Sequence, residues 1–143
     1  MAVLDCVFCA IAGGELPSYK VFEDDDVLAF LDIQPMTAGH TLVIPRRHVA
    51  DLLEMPDAMA GPLFAAVGRV ARATARAYGA DGVNVLQASG AAAGQTVRHL
   101  HLHVVPRHGG DGLRLHISPG ARANDEARMR ADAGRIAQAL AEV

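Results

Sequence analysis

Histidine is concentrated in one short segment of the chain, where three histidines stand at alternate positions. His99, His101 and His103 are separated by single leucines within an apolar stretch, residues 97–106, whose alternation predicts a β-strand. Alternate side chains of a strand share one face, so we expect the three imidazoles together and the intervening apolar side chains in the core. A single buried histidine is ordinary packing, whereas three in register indicate a functional site.

The spacing of these histidines limits what they can share. Along a strand, positions i and i+2 lie about 6.7 Å apart and positions i and i+4 about 13 Å apart, so two of the three could bind one ion and all three could not. One interpretation is a metal site on His99 and His101 with a third ligand elsewhere. The other is phosphorus chemistry, in which one neutral imidazole attacks and its neighbours hold the phosphate. The preceding loop of Gly94, Gln95 and Thr96 offers amides and a hydroxyl, which favours the second.

Cysteine occurs only twice, as Cys6 and Cys9, in a single C-x-x-C near the start of the chain. In a reducing compartment such a pair is more often half of a metal site or a redox pair than a structural disulfide. The pair predicts a metal site only if two further metal ligands can be named.

The elements that must position these residues alternate between strand-like and helical segments. Strands are predicted at residues 18–22, 27–31, 41–45, 82–87, 97–106 and, at an edge, 113–117. Helices are predicted at residues 5–12, from Pro56 or Pro62 to Gly79, and at residues 123–143. No linker or repeat divides the chain, so we expect one α+β domain, residues 1–143, around a roughly five-stranded, mostly antiparallel sheet.

Length and composition indicate an ordinary folded domain. The chain has 143 residues, 51% hydrophobic and 20% charged, which is enough to bury a core. Thirteen Lys and Arg against sixteen Asp and Glu give a formal charge of −3, and aromatic residues make up 4%, so nothing points to nucleic-acid binding. No apolar run reaches the roughly 18 residues of a membrane span. With no signal-peptide pattern at the start, we expect a soluble cytoplasmic protein.

The segment GQTVRHLHLHVVPR, residues 94–107, resembles the signature of the histidine-triad (HIT) family. The resemblance extends upstream to Phe8, to residues 30–35 (FLDIQP) and to residues 39–48 (GHTLVIPRRH), in the order that the family uses. Three histidines at alternate positions, separated by apolar residues and preceded by G-Q-T, form a highly specific pattern.

The resemblance covers about residues 5–112, which we expect to form the core of the domain, followed by a C-terminal tail with a helix at about residues 118–143. It implies a HIT-like fold with one long helix, a short N-terminal helix and a C-terminal helix around the sheet. Because the family usually pairs two chains, a homodimer is expected.

The resemblance also implies a nucleotidyl hydrolase or transferase that releases a nucleoside monophosphate such as AMP. His101 would attack the α-phosphate of a purine nucleoside phosphoramidate or a dinucleoside polyphosphate. A covalent nucleotidyl-histidine would form and then be hydrolysed, with no cofactor required for the chemical step. His103 would hold phosphate oxygens, His40 would orient the triad by hydrogen bonding, and His99 completes the catalytic set.

The same resemblance implies which residues bind the phosphate, the ribose and the base of the nucleotide. The expected phosphate-binding residues are Gly94, Gln95, Thr96, His103 and Ser89. At Ser89 family members often have Asn, although a serine can still donate one hydrogen bond. Asp32 would accept the ribose hydroxyls. The expected apolar base pocket consists of Val7, Phe8, Ile11, Phe30 and Ile33. Plain core packing is an equal alternative for the first and third of these.

Partners for the cysteines follow from the resemblance to bacterial members, many of which have an N-terminal C-x-x-C and a histidine after the I-P strand. The implied Cys₂His₂ zinc site consists of Cys6, Cys9, His48 and His99. Such a closed tetrahedral set is structural, and it leaves His101 for the phosphate. The alternative is a pair of free thiols. His108 and His116 have no matched role and are expected at the surface.

Two other functions stay open at this point. One is a nucleotide-binding sensor or scaffold with negligible turnover, which predicts tight binding of a nucleoside monophosphate without product. The other is a zinc hydrolase with His99 and His101 as catalytic ligands, which predicts loss of activity on chelation. We expect a nucleotide substrate, and neither nucleic acid nor membrane as a partner.

Overall fold

The structure is a computed structural model that describes residues 5–115 and 125–143. The chain forms two compact units, Met1–Gly112 and Leu113–Val143. Among the described residues, the first unit carries a sheet and two α-helices, and the second carries one α-helix. No helix in these described ranges is long and apolar enough to cross a membrane.

The first unit is built on a five-stranded sheet. Its main elements are α1 (Val7–Ala12), β1 (Lys20–Glu23), β2 (Val27–Leu31), β3 (Thr41–Pro45), α2 (Asp57–Tyr78), β4 (Gly82–Gln87) and β5 (Leu102–Arg107). Short 3₁₀ turns lie at Leu52–Glu54 and Ala91–Ala93. All strand pairs are antiparallel, in the order β1-β2-β3-β5-β4, so β5 lies between β3 and the edge strand β4. The predicted α+β fold with a five-stranded antiparallel sheet is confirmed.

Strand β2 illustrates how both faces of the sheet are covered. Val27 and Ala29 pack with residues of α2, whereas Leu28 and Phe30 pack on the opposite face with Phe8 of α1. Successive side chains of a strand point to opposite faces, so a strand that is covered on both sides is apolar at every position. This explains the unbroken VLAFL sequence.

Helix α2 is the predicted long helix. It begins after Pro56, the first of the two predicted starts, and Pro62 lies inside it. Gly79 ends it in the left-handed conformation, with φ 57° and ψ 39°, and donates its N–H to the carbonyl of Ala75. The buried face of the helix consists of Leu63, Ala66, Val67, Val70 and Thr74. This face packs on the sheet and leaves the opposite sheet face to α1.

The strand predicted at residues 97–106 is wrong in its first half, because β5 begins only at Leu102. The backbone before that point bonds elsewhere: the N–H of Leu100 donates to the carbonyl of Val49 at 2.8 Å. A group bonded to the segment after β3 is not available to a neighbouring strand. Only His103 of the three histidines therefore lies in the sheet, and the three do not share one strand face.

Two other predicted segments differ from the structure. Residues 113–115 of the predicted edge strand 113–117 are not in a strand, and the last two residues of that prediction lie outside the described residues. In the second unit, α3 (Glu126–Leu140) forms the predicted terminal helix. The Asp125 side chain caps it by accepting from the N–H of Ala127 at 3.0 Å. Residues 123 and 124 of that prediction lie outside the described ranges.

Candidate functional site

A cleft of about 790 Å³ opens on the α1 side of the sheet. The predicted nucleoside-binding residues all lie in its wall, namely Val7, Phe8, Ile11, Phe30, Asp32 and Ile33. His40, Thr96, His101 and His103 line the same cleft. The fold thus brings the apolar residues and most of the predicted catalytic residues to one place.

The ring of His101 is fixed by one hydrogen bond to the backbone. Its Nδ1 lies 2.7 Å from the carbonyl oxygen of His99. Because a carbonyl can only accept, the proton of the neutral ring sits on Nδ1 and Nε2 keeps its lone pair. Phe8 packs edge-on against this ring with centroids 5.3 Å apart, and the ring of His103 lies 5.0 Å away. Nε2 is therefore the nitrogen of His101 that is available for chemistry.

A chain of hydrogen bonds ends beside His101. The backbone N–H of Met36 donates to Nδ1 of His40 at 3.0 Å, so the proton of neutral His40 must sit on Nε2. That Nε2–H lies 2.9 Å from Nδ1 of His103 and donates to it. His103 then carries its own proton on Nε2. The chain presents an N–H donor, and not a second base, next to the lone pair of His101.

Burial keeps the two histidines of this hydrogen-bond chain, His40 and His103, uncharged. Desolvation, with a smaller contribution from the nearby His101 and His40, lowers the pKa of His103 to about 4, although the carboxylate of Asp32 opposes the shift. Desolvation also lowers the pKa of His40, again against the attraction of Asp32, whose Oδ2 lies 3.6 Å from Nε2 of His40. Both rings are neutral near pH 7, so the positions of their protons decide what they can donate.

A second cluster brings the predicted zinc ligands together, namely Cys6, Cys9, His48 and His99. Nδ1 of His99 lies 3.4 Å from Sγ of Cys6, 3.5 Å from Sγ of Cys9 and 3.2 Å from Nδ1 of His48. Zn–N bonds of about 2.0–2.1 Å and Zn–S bonds of about 2.3 Å separate tetrahedral ligands by about 3.3 Å for N and N and about 3.6 Å for S and N. The donor atoms are spaced as a zinc tetrahedron requires.

The surroundings of this cluster also suit a metal. Nε2 of the fully buried His99 lies 2.8 Å from the carbonyl of Pro45, so its proton is on Nε2 and the Nδ1 lone pair faces the thiols. Cys6 caps α1, and its sulfur accepts from the N–H of Cys9 at 3.4 Å. Burial raises the pKa of the Cys6 thiol, and a bound cation would favour its thiolate. His99 belongs to this cluster and does not line the cleft.

Gln95 was predicted to contact phosphate, but its side-chain amide is hydrogen-bonded to the protein backbone. Its Oε1 accepts from the N–H of Gly90 at 2.8 Å. Its Nε2 donates to the carbonyls of Ala50 at 2.7 Å and Val97 at 2.9 Å. With both amide hydrogens used inside the protein, the side chain holds the loop in shape. The structure therefore favours a positioning role for Gln95 over direct contact with phosphate.

Ser89 and Gly94 also lie outside the cleft wall. Oγ of Ser89 accepts from the N–H of Leu52 at 3.1 Å and hydrogen bonds to the side chain of Gln87 at 2.8 Å. The N–H of Gly94 donates to the carbonyl of Ala91 at 3.0 Å. Among the predicted phosphate-binding residues, Thr96 and His103 are the two that line the cleft.

The sequence did not predict several residues of the cleft wall, including Leu16, Pro17, Ser18, Tyr19, Met36 and Val97. Tyr19 is 70% exposed in a segment without regular structure, and an exposed aromatic residue in a loop is a signal that could have pointed to a binding surface. Met36 contributes a backbone N–H, which has no signature in the sequence. His108 lies at an exposed turn, as expected, and His116 lies outside the described residues.

The open five-stranded sheet with its histidine-lined cleft defines a HIT domain, and the model of that domain matches residues 13–110. The chain therefore belongs to the histidine-triad family. Protein hit of Bacillus subtilis is 49% identical over 110 residues, which span 76% of either chain. A crystal structure from Streptococcus mutans has a TM-score of 0.92 and 44% identity, covering 96% of this chain and 87% of its own.

Two further relatives bear on the chemistry of the two clusters. A zinc-bound histidine triad family protein from Mycobacterium smegmatis has a TM-score of 0.75 and 41% identity, covering 95% of this chain and 98% of its own. The adenosine 5′-monophosphoramidase of Schizosaccharomyces pombe is 39% identical over 104 residues, 73% of this chain and 75% of its own. The family thus includes a nucleotide hydrolase and a member that binds zinc.

Proposed function

We propose that this protein hydrolyses a purine nucleoside phosphoramidate or a dinucleoside polyphosphate and releases a nucleoside monophosphate such as AMP. The observation that carries the proposal is the distance of 2.7 Å between Nδ1 of His101 and the carbonyl oxygen of His99, which requires the proton on Nδ1 and leaves the lone pair of Nε2 in the cleft wall. A neutral imidazole is a competent nucleophile near pH 7. The nucleotide hydrolase among its relatives supports the substrate class.

The cleft is suited to a nucleoside. Its volume of about 790 Å³ lies within the range of about 300–1,000 Å³ that is usual for small-molecule sites. Phe8 and Phe30 form an edge-to-face pair, with centroids 5.4 Å apart, at its apolar end. The carboxylate of Asp32, which already accepts from the N–H of Gln34 at 2.8 Å, has further lone pairs for ribose hydroxyls. We place the base at the apolar end and the ribose at Asp32.

The reaction proceeds in two displacements at phosphorus. First, Nε2 of His101 forms a bond to the α-phosphorus as the bond to the leaving group breaks. A departing amine takes up a proton from solvent, whereas a departing nucleotide leaves as an anion. The imidazolium that results keeps its Nδ1–H on the carbonyl of His99, which stabilises the positive ring. A water molecule then bonds to the phosphorus and gives up a proton to solvent, the P–N bond breaks, and neutral His101 returns.

Two groups of the cleft wall stabilise the phosphate oxygens. Nε2–H of His103 is a fixed donor, because the hydrogen bond from His40 to its Nδ1 leaves the proton on Nε2. Thr96 lines the cleft and supplies a hydroxyl near the leaving group. Donors fixed before the reaction stabilise charge that develops in the transition state. Gly94, Gln95 and Ser89 support the shape of the adjoining loop.

Zinc is proposed as a structural ion held by two thiolates and two imidazoles, namely Cys6, Cys9, His48 and His99. Bound there, it would tie α1 to the ends of the sheet and supply no open coordination position. Because His99 is a ligand and His101 lies in the cleft, the alternative of a zinc hydrolase that uses both as catalytic ligands is disfavoured. The unpaired cysteines are in keeping with a reducing compartment such as the cytoplasm.

A homodimer remains part of the proposal. β4 is an edge strand, and an edge strand presents unpaired backbone groups to which a second copy can bond. Val85 on β4 is 40% exposed and Phe64 on α2 is 65% exposed, so apolar surface adjoins this edge strand and the neighbouring helix. Sedimentation velocity of the wild type and of Phe64→Arg tests this expectation.

The experiment that tests the proposed function is release of AMP from adenosine 5′-phosphoramidate and from a diadenosine polyphosphate. We expect turnover by the wild type and a loss of at least about 1,000-fold in His101→Ala, since the nucleophile is removed. His116→Ala, beyond the residues matched by the domain model, is the histidine control and should retain activity. AMP binding without turnover would favour the sensor function instead.

A further inference from the structure

The aromatic ring that ends α2 lies against the turn that holds His40. Tyr78 is the last residue of α2, and a Cβ added to Gly39 would overlap Cε2 of its ring and lie only 2.8 Å from Cδ2. Gly39 also has a φ of 86°, a backbone conformation that other residues rarely adopt. Both the contact with Tyr78 and the backbone angle therefore require glycine immediately before His40.

The turn from Met36 to His40 is closed by its own hydrogen bonds. The N–H of His40 donates to the carbonyl of Thr37 at 3.1 Å, and the N–H of Met36 donates to Nδ1 of His40 at 3.0 Å. Oγ1 of Thr37 donates to the carbonyl of Pro106 in β5 at 2.8 Å. Since backbone and ring of His40 are bonded within the same turn, a shift of the turn moves the ring.

The backbone of Tyr78 is fixed at the end of α2. Its carbonyl accepts from Nε2–H of His108 at 2.9 Å, and α2 ends at Gly79 directly after it. Tyr78 does not line the nucleotide cleft. It borders a separate groove of about 430 Å³ on the α2 side of the sheet, together with Gly39 and Thr41.

We propose that Tyr78 is a positioning residue for the nucleotidyl-transfer site, an inference that rests on the proposed function. Its ring sets the position of Gly39 and thereby holds Nε2–H of His40 on Nδ1 of His103, which are 2.9 Å apart. The hydrogen bond fixes the proton of His103 on Nε2, where phosphate oxygens need a donor. Tyr78 thus acts on the reaction from the opposite side of the sheet without touching substrate.

The test compares Tyr78→Ala, which removes the ring, with Tyr78→Phe, which keeps the ring and loses only the hydroxyl. Nitrogen-15 NMR of the histidine side chains reports the proton position on His40, and AMP release from adenosine 5′-phosphoramidate reports turnover, both measured below the Tm of each variant. We expect the wild type and Tyr78→Phe to keep His40 as the Nε2–H tautomer. In Tyr78→Ala we expect a mixture of tautomers and a kcat about tenfold or more lower, with KM changed by less than about twofold.

Each outcome decides the inference. Loss of the Nε2–H tautomer of His40 in Tyr78→Ala, with that tautomer kept in Tyr78→Phe, supports it. An unchanged tautomer and wild-type kcat in Tyr78→Ala would overturn it, as would an equal loss of kcat in Tyr78→Phe. If the wild type releases no AMP, the proposed function fails, and the NMR measurement still decides whether Tyr78 positions His40.

Discussion

Two clusters beside the same sheet each gather three or four potential metal ligands. One contains Cys6, Cys9, His48 and His99, and the other contains Asp32, His40 and His103. In both, neighbouring donor atoms approach within 3.6 Å. Composition and distance alone would allow a metal in either cluster, so the difference between them must lie in their surroundings.

The backbone supplies that difference. Nε2 of His99 meets the carbonyl of Pro45, an acceptor, so the nitrogen that faces the thiols has a lone pair for a metal. Nδ1 of His40 meets the N–H of Met36, a donor, so the nitrogen that faces His103 carries the proton. A metal at that position would have to displace a proton from a neutral imidazole. One backbone group on the far side of a ring thus separates a metal ligand from a hydrogen-bond donor.

The largest effect is expected from removing a ligand of the Cys₂His₂ cluster. Cys9→Ala should reduce zinc from about one ion per chain to nearly none and lower Tm by about 10 °C or more, because a structural metal adds directly to folding free energy. Metal analysis of protein purified without chelator and differential scanning calorimetry measure both. His40→Ala is the matched variant from the other cluster and should keep its zinc. Equal loss of zinc in the two variants would contradict the comparison.

For turnover we expect the opposite pattern, in which a variant of the second cluster loses activity and a variant of the zinc cluster keeps it. His40→Ala should lower kcat about 10- to 100-fold, because the proton of His103 is no longer held on Nε2, whereas the zinc content stays constant. His48→Ala should lose zinc and keep its kcat at temperatures below its Tm. AMP release under saturating substrate measures both variants. A fall in kcat that follows zinc content across the set would instead make the metal part of the reaction.

The fall of Tm with decreasing pH should depend in part on His103. Burial lowers the pKa of His103 from 6.5 to about 4, so the unfolded chain binds this proton at a higher pH than the folded chain does. The stability from neutral His103 is complete above pH 6.5 and is lost as the pH falls towards 4. His103→Gln should therefore show a shallower fall in Tm between pH 7 and pH 4.5. Parallel curves for wild type and variant would contradict the assignment.

The smallest effect is expected in the loop between β4 and β5. Gln95→Ala removes three hydrogen bonds to the backbone and should lower the free energy of unfolding by about 1–3 kcal/mol. Zinc content should not change. Urea denaturation measures the free energy, and kinetics at low temperature measure the effect on turnover. A fall in kcat without any loss of stability would instead support direct contact between Gln95 and phosphate.

The resemblance to the histidine-triad family, more than the side-chain pattern, predicted which residues meet. The triad motif, the C-x-x-C and the I-P strand led through that resemblance to the cleft and to the four-residue cluster, whereas strand alternation alone placed all three histidines on one strand face, which the structure does not. The start of β5 was mispredicted because Leu100 bonds to Val49, a contact that local alternation cannot reveal. The positions of the histidine ring protons could not be predicted from the sequence either, because they depend on the backbone groups of Pro45, Met36 and His99.

Gln95 is a residue whose role residue type and motif position do not determine. Its residue type and place in the motif suggest a phosphate ligand, but its amide is occupied by the backbone of Gly90, Ala50 and Val97. A side chain with donors and acceptors is equally suited to holding a loop or a ligand. Only the folded loop decides between the two, because the competing backbone partners come from 45 residues away as well as from nearby.

The most direct measurement is the identification of the residue that carries the nucleotide during turnover. Wild-type protein mixed with adenosine 5′-phosphoramidate, quenched in the millisecond range and digested, should give an adenylylated peptide with the modification on His101. The adduct should be absent from His101→Ala and should form in protein stripped of zinc but still folded. A modification on another residue, or turnover in His101→Ala as fast as in the wild type, would contradict the assignment of His101 as nucleophile.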